Sequence, residues 1–161
     1  MAILIIMAVS FAAAYVLGWA ITLRVMRSDI RKPSTKESEQ RNFDEIMKRL
    51  DGFSQLESGW NGYRAEPPGE SVNAAREIVA RNGPHRMSGW EVFPTGRRSV
   101  QMEKTSGDSY TEIEIYSDHV VVYREVKCFL YTESTEVTIP RSDHRKIDRV
   151  VRKGTWMPWI Y

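Results

Sequence analysis

The sequence predicts an α+β fold: an N-terminal transmembrane helix, then two helices packed on an antiparallel β-meander, with a basic C-terminal helix. Three observations predict it. The first 23 residues, MAILIIMAVSFAAAYVLGWAITL, carry no charged side chain. Apolar residues then recur at the helical period across residues 43–53 and again across 72–79. From Trp90 onward the period changes to two, and short turn signals separate the stretches.

The uncharged run (1–23) is long enough for an anchor. A helix rises about 1.5 Å per residue, so about 20 apolar residues cross roughly 30 Å of hydrocarbon. A cleaved signal peptide would need a basic leader, a shorter apolar core and a small-residue cleavage site. Nothing basic precedes this run, so it reads as an uncleaved single-pass anchor. Its C-terminal flank holds Arg24, Arg27, Arg31, Lys32 and Lys36 against Asp29. Basic flanks stay in the cytoplasm. For a bacterial-type inner membrane the expected topology is N-terminus out and folded domain in the cytoplasm. Arg24, Arg27, Arg31 and Lys32 are the candidate lipid-headgroup contacts, each contributing about 1 kcal/mol near an anionic surface.

Residues 24–40 read as a basic juxtamembrane tether, polar and broken by Pro33. The domain proper is expected over 41–140. Phe43, Ile46, Met47, Leu50 and Phe53 form one face of its first helix. A loop, GWNGYRAEPP, leads to a second helix with Val72, Ala75, Ile78 and Val79 inward. Gly69 or Ser71 is its expected cap, and Gly83-Pro84 its stop. Six strand-like stretches follow: WEVFP, SVQMEKT, YTEIEIY, HVVVYREV, CFLYTE and TEVTI. Short connections favour antiparallel neighbours. In YTEIEIY, Tyr110, Glu112, Glu114 and Tyr116 share the expected wet face, and Thr111, Ile113 and Ile115 the packed one. Residues 141–161 read as a basic helix, with Ile147, Val150 and Val151 on one side, and an aromatic tail.

The net charge of +2 conceals a division. Both ends are basic, whereas residues 37–140 hold 12 basic and 18 acidic side chains. An acidic domain argues against nucleic acid as the partner. The single cysteine, Cys128, lies in an apolar strand-like run and is expected to be a small buried hydrophobe. His85, His119 and His144 show no metal-ligand spacing, so no metal or other cofactor is expected. No phosphate loop, dinucleotide fingerprint or nucleophile elbow is present, so no catalytic residue is assigned. Glu112 and Glu114 form a carboxylate pair, but charges on a wet strand face seldom do acid–base work.

Two stretches remain as candidate sites. In the loop, Gly59 and Gly62 allow unusual backbone angles, Pro67 and Pro68 stiffen the exit, and Trp60 and Tyr63 can pin it. This reads first as a structural corner. As a ligand loop it would present Trp60, Asn61, Tyr63, Arg64 and Glu66. The tail TWMPWIY offers Trp156, Met157, Trp159, Ile160 and Tyr161, residue types enriched at protein interfaces and membrane surfaces. It could equally fold back as core.

The stretch GWNGYRAEP resembles the Gly-Trp-Asp-Gly-Tyr-Gly-Ala-x-Pro motif of a family of small prokaryotic and phage proteins. The matching residues are Gly59, Trp60, Gly62, Tyr63, Ala65 and Pro67, within a similarity spanning roughly 43–126. The resemblance implies a short helix and a β-meander after the motif, and no assigned activity. Asn61 stands where the family often has Asp, and Arg64 where it often has Gly.

The expectation is a membrane-anchored, non-catalytic accessory or adaptor subunit. Its partners would be the lipid bilayer and an integral-membrane or membrane-associated protein. Two alternatives stand beside it: a membrane-anchored enzyme or ligand sensor using the GWNGYRAEPP loop, and a phage or mobile-element effector acting on a host membrane protein.

Overall fold

The computed structural model describes residues 36–153. The expected anchor at 1–23, the headgroup candidates Arg24, Arg27, Arg31 and Lys32, and the tail residues Trp156, Met157, Trp159, Ile160 and Tyr161 lie outside them. Among the described residues no helix is long and apolar enough to cross a membrane.

The domain is α+β. Helices α1 (Lys36–Phe53) and α2 (Glu70–Met87) precede strands β1 (Glu91–Pro94), β2 (Val100–Ser106), β3 (Ser109–Ile115), β4 (His119–Lys127) and β5 (Thr132–Pro140), and α3 (His144–Lys153) follows. The strands form one antiparallel sheet in sequence order, a meander. Each connection is short, so each strand pairs with its predecessor.

Alternation sets the two faces of the sheet. Val92, Val100, Met102, Ile113, Ile115, Val120, Val122 and Ile139 point inward and are buried. Ile46 and Leu50 of α1, Val72, Ala75, Ile78 and Val79 of α2, and Ile147, Val150 and Val151 of α3 meet them in one core. Phe43, Met47 and Phe53 pack at its margin. Trp90 and Met87, at the α2–β1 junction, are fully enclosed.

The helix boundaries differ from the sequence reading in two places. α1 starts at Lys36, so the last residues of the expected tether are helical. Glu37 and Glu39 in its first turn favour the positive end of the helix dipole. α2 does not stop at Gly83-Pro84. Gly83 takes φ 69° and ψ 174°, a kink, and the helix resumes to Met87. Proline is tolerated there because it begins a new turn, where its missing N–H is not required. Gly69 occupies the cap position of α2 without a side-chain cap. Ser71 instead donates from Oγ to the Arg98 carbonyl at 2.6 Å, tying the helix start to the β1–β2 turn.

The strands differ too. CFLYTE is not a separate strand. Residues 128–131 are the β4–β5 turn, and Thr132 and Glu133 belong with TEVTI to the single strand β5. Cys128 is therefore half-buried at a hairpin tip rather than enclosed in the core. Among the described residues nothing covers the apolar side chains at its end.

Candidate functional site

The corner loop is held by its own backbone. Gly59 N donates to the Ala65 carbonyl at 2.8 Å and Gly62 N to the Gly59 carbonyl at 2.9 Å. Both glycines have φ of 80°, a region that side-chain-bearing residues resist. A Cβ on Gly59 would sit 3.3 Å from the Tyr63 carbonyl oxygen. Asn61 Oδ1 accepts from Tyr63 N at 3.0 Å, an Asx turn, so this side chain is spent on loop geometry. Ala65 is buried, Glu66 N donates to the Gly96 carbonyl, and the Glu66 carboxylate pairs with Arg98. The loop thus docks on the β1–β2 turn.

Trp60 is half-buried and its Nε1 meets no acceptor among the described residues. Tyr63 is 83% exposed, and Arg64 also faces solvent. Of the five loop candidates, Asn61 and Glu66 have structural partners, Trp60 packs, and Tyr63 with Arg64 remain presented outward.

The open face of the sheet was read only in part from the sequence. Glu112 and Glu114 do project from it, but register adds more. Glu91, Glu103 and Glu112 lie directly opposite one another across β1, β2 and β3, and the row continues through Tyr123 to Glu136. Like charges set opposite one another are destabilising. Tyr110 Oη lies 2.9 Å from both Glu103 and Glu112, and its single proton can serve one carboxylate at a time. Burial first, then these hydrogen bonds, push the Tyr110 phenol well above its usual range. Burial and Glu114 raise Tyr116 likewise. This strand pairing, which puts carboxylates from several strands in one row, has no signature in any single strand.

The third surface is the β4–β5 tip. Cys128 N donates to the Tyr131 carbonyl at 2.8 Å, closing a tight turn with Phe129 and Leu130 at its centre. Phe129 is 101% exposed, Leu130 86% and Tyr131 63%. A side-chain hydrogen bond with Cys128 raises the Tyr131 phenol. In the sequence the signal is four apolar residues, CFLY, a pattern that ordinarily marks a strand.

Elsewhere, a cleft of about 110 Å³ between α1 and β1 is lined by Asn42, Glu45, Ile46, Arg49, Trp90, Glu91 and Val92. Small-molecule sites usually measure about 300–1,000 Å³. Among the described residues no three His, Cys, Asp or Glu side chains are placed to hold a metal. His119 pairs with Asp118 at 2.7 Å and stacks on Tyr116, and His85 pairs with Glu39 at 3.0 Å.

No family model matches the chain, and no curated protein or solved structure matches it either.

Proposed function

We propose that the chain is a membrane-anchored, non-catalytic accessory subunit whose domain offers binding surfaces to a membrane-associated assembly. The observation that carries this reading is the uncharged run at 1–23 followed at once by a basic flank. Two surfaces of the domain have the character of recognition surfaces: an exposed apolar hairpin tip and a half-buried, acidic, tyrosine-bearing sheet face. The open sheet face suits a basic partner segment, because complementary charge steers encounter and fixes register.

Gentle detergent extraction of the tagged chain from its own membranes, followed by mass spectrometry, tests the reading. A stoichiometric integral-membrane protein in the eluate supports it. Purification as a lone chain or homo-oligomer contradicts it.

A second reading rests on Tyr63. A fully presented tyrosine beside Arg64 on a rigid corner is a recognition element for a ligand or partner loop. Joint substitution of Tyr63 and Arg64 by alanine would abolish function under that reading and leave it intact under the first.

A further inference from the structure

Three positions lie at one end of the domain. α1 begins there, because Asn42 accepts from Gly89 N at 2.8 Å and donates to the Trp90 carbonyl at 3.3 Å, beside the start of β1. α3 ends there, because it runs alongside α2 in the same direction, from Arg141 at Glu77 to Asp148 at Arg81. The β4–β5 tip points there as well. Tyr123 lies in the same cross-strand row as Glu91 at the start of β1, and β4 continues four residues further to Lys127. That extension is about 13 Å at 3.3 Å per residue.

We propose that Phe129 and Leu130 insert into the headgroup–acyl boundary of a lipid bilayer, making the β4–β5 hairpin a second membrane contact. The inference rests on the anchored reading above. Two observations carry it beyond that reading. First, tight hairpin turns ordinarily use Gly, Asn or Asp, whereas this one places Phe129 and Leu130 at its centre, neither with a positive φ. A sequence that breaks its local rule does so most often at a functional site. Second, the chain that precedes α1 enters at this same end. Between the uncharged run and Lys36 stand residues 24–35, which can span at most about 40 Å. The tip is therefore kept within reach of any bilayer that holds the run.

The chemistry of the tip fits lipid. The Cys128 N–H is already bonded to the Tyr131 carbonyl, so the turn carries fewer unpaired backbone groups into an apolar layer. Tyr131 follows Leu130 with a polar hydroxyl, the arrangement favoured at membrane–water interfaces. Lys127 and Glu133 flank the tip with opposite charges, so insertion is driven by apolar burial and is insensitive to salt.

Cys128 is the single cysteine, so labelling is direct. The full chain carrying Cys128→Ser and Leu130→Cys is spin-labelled and reconstituted into phosphatidylcholine–phosphatidylglycerol vesicles. The comparison is Cys128→Ser with Ser58→Cys, on the corner loop at the opposite end of the domain. Collision with a water-soluble nickel chelate and with lipid-dissolved oxygen is measured at both sites. The expected result is a chelate accessibility at the tip about tenfold below that at Ser58, with higher oxygen accessibility, unchanged in high salt. Phe129→Ser added to the tip-labelled chain returns both values toward those at Ser58. Equal accessibilities on chains that float with the vesicles overturn the inference and leave the anchor standing. Shielding from both reagents means that protein covers the tip, which also overturns it. Failure of the chain to float defeats the anchored reading itself.

Discussion

Removal of the Asp148 carboxylate by Asp148→Ala should loosen α3 from α2. Asp148 Oδ1 accepts from Arg81 Nε and Nη2, both at 3.0 Å, and from Asn82 Nδ2 at 3.1 Å. The ion pair is partly open, with side-chain exposures of 31% for Arg81 and 25% for Asp148. Its attraction is discounted accordingly to about 0.5–1 kcal/mol. Asn82 is 7% exposed, and its Oδ1 already meets no donor among the described residues. Loss of one of its remaining bonds costs about 1–1.5 kcal/mol, since the bond to the Ile78 carbonyl survives. The sum is about 2 kcal/mol, or a fall in Tm of roughly 6–8 °C for a domain of this size. Thermal unfolding of the detergent-solubilised chain by circular dichroism reads it. A double-mutant cycle with Arg81→Met should return a coupling of about 0.5–1 kcal/mol that shrinks in high salt, while the Asn82 contribution persists. A fall below about 2 °C, or full loss of the effect in salt, would refute this apportionment.

Gly59→Ala should cost about 1–2 kcal/mol, because φ of 80° and the nearby Tyr63 carbonyl both resist a Cβ; an unchanged Tm would show that the corner relaxes freely. Glu103→Gln should raise stability by about 0.2–1 kcal/mol by relieving its register with Glu91 and Glu112, while still accepting from Tyr110; a lowered Tm would count against the repulsion argument. Trp90→Ala should cost about 3–5 kcal/mol, since the side chain is fully enclosed; native-like denaturant midpoints would contradict the core assignment. With rising pH, stability should decline once the unfolded tyrosines ionise near pH 10, because the folded Tyr110 phenol is held above that value; absorbance at high pH should show its ionisation delayed until unfolding. With falling pH, Glu77 works in the opposite sense. The hydrogen bond and charge of Arg141 lower its pKa, so its contribution is present above the ordinary glutamate value and fades below it.

Much of the fold was legible because its elements obey local periods. The Val72–Val79 face of α2 and the alternation of β3 bury the residues that the pattern selects, and the stripe of α1 buries Ile46 and Leu50 with Phe43, Met47 and Phe53 at the core margin. What the sequence concealed was non-local or rule-breaking. Ser71 serves the β1–β2 turn rather than its own helix, a contact across 27 residues. The Glu91–Glu103–Glu112 row exists only once three strands take register. The CFLY stretch is as apolar as a strand interior, yet it forms a turn whose Phe129, Leu130 and Tyr131 are exposed among the described residues. The corner loop was legible as geometry from its glycines. Asn61 and Glu66 were less so, since both ligand-like side chains turn out to have partners within the fold.

The most direct test of the anchored accessory reading is alkaline carbonate extraction of membranes from cells producing the full chain. The account predicts that the chain stays in the membrane pellet, and that a version lacking residues 1–35 is released to the supernatant. Release of the full chain would contradict it.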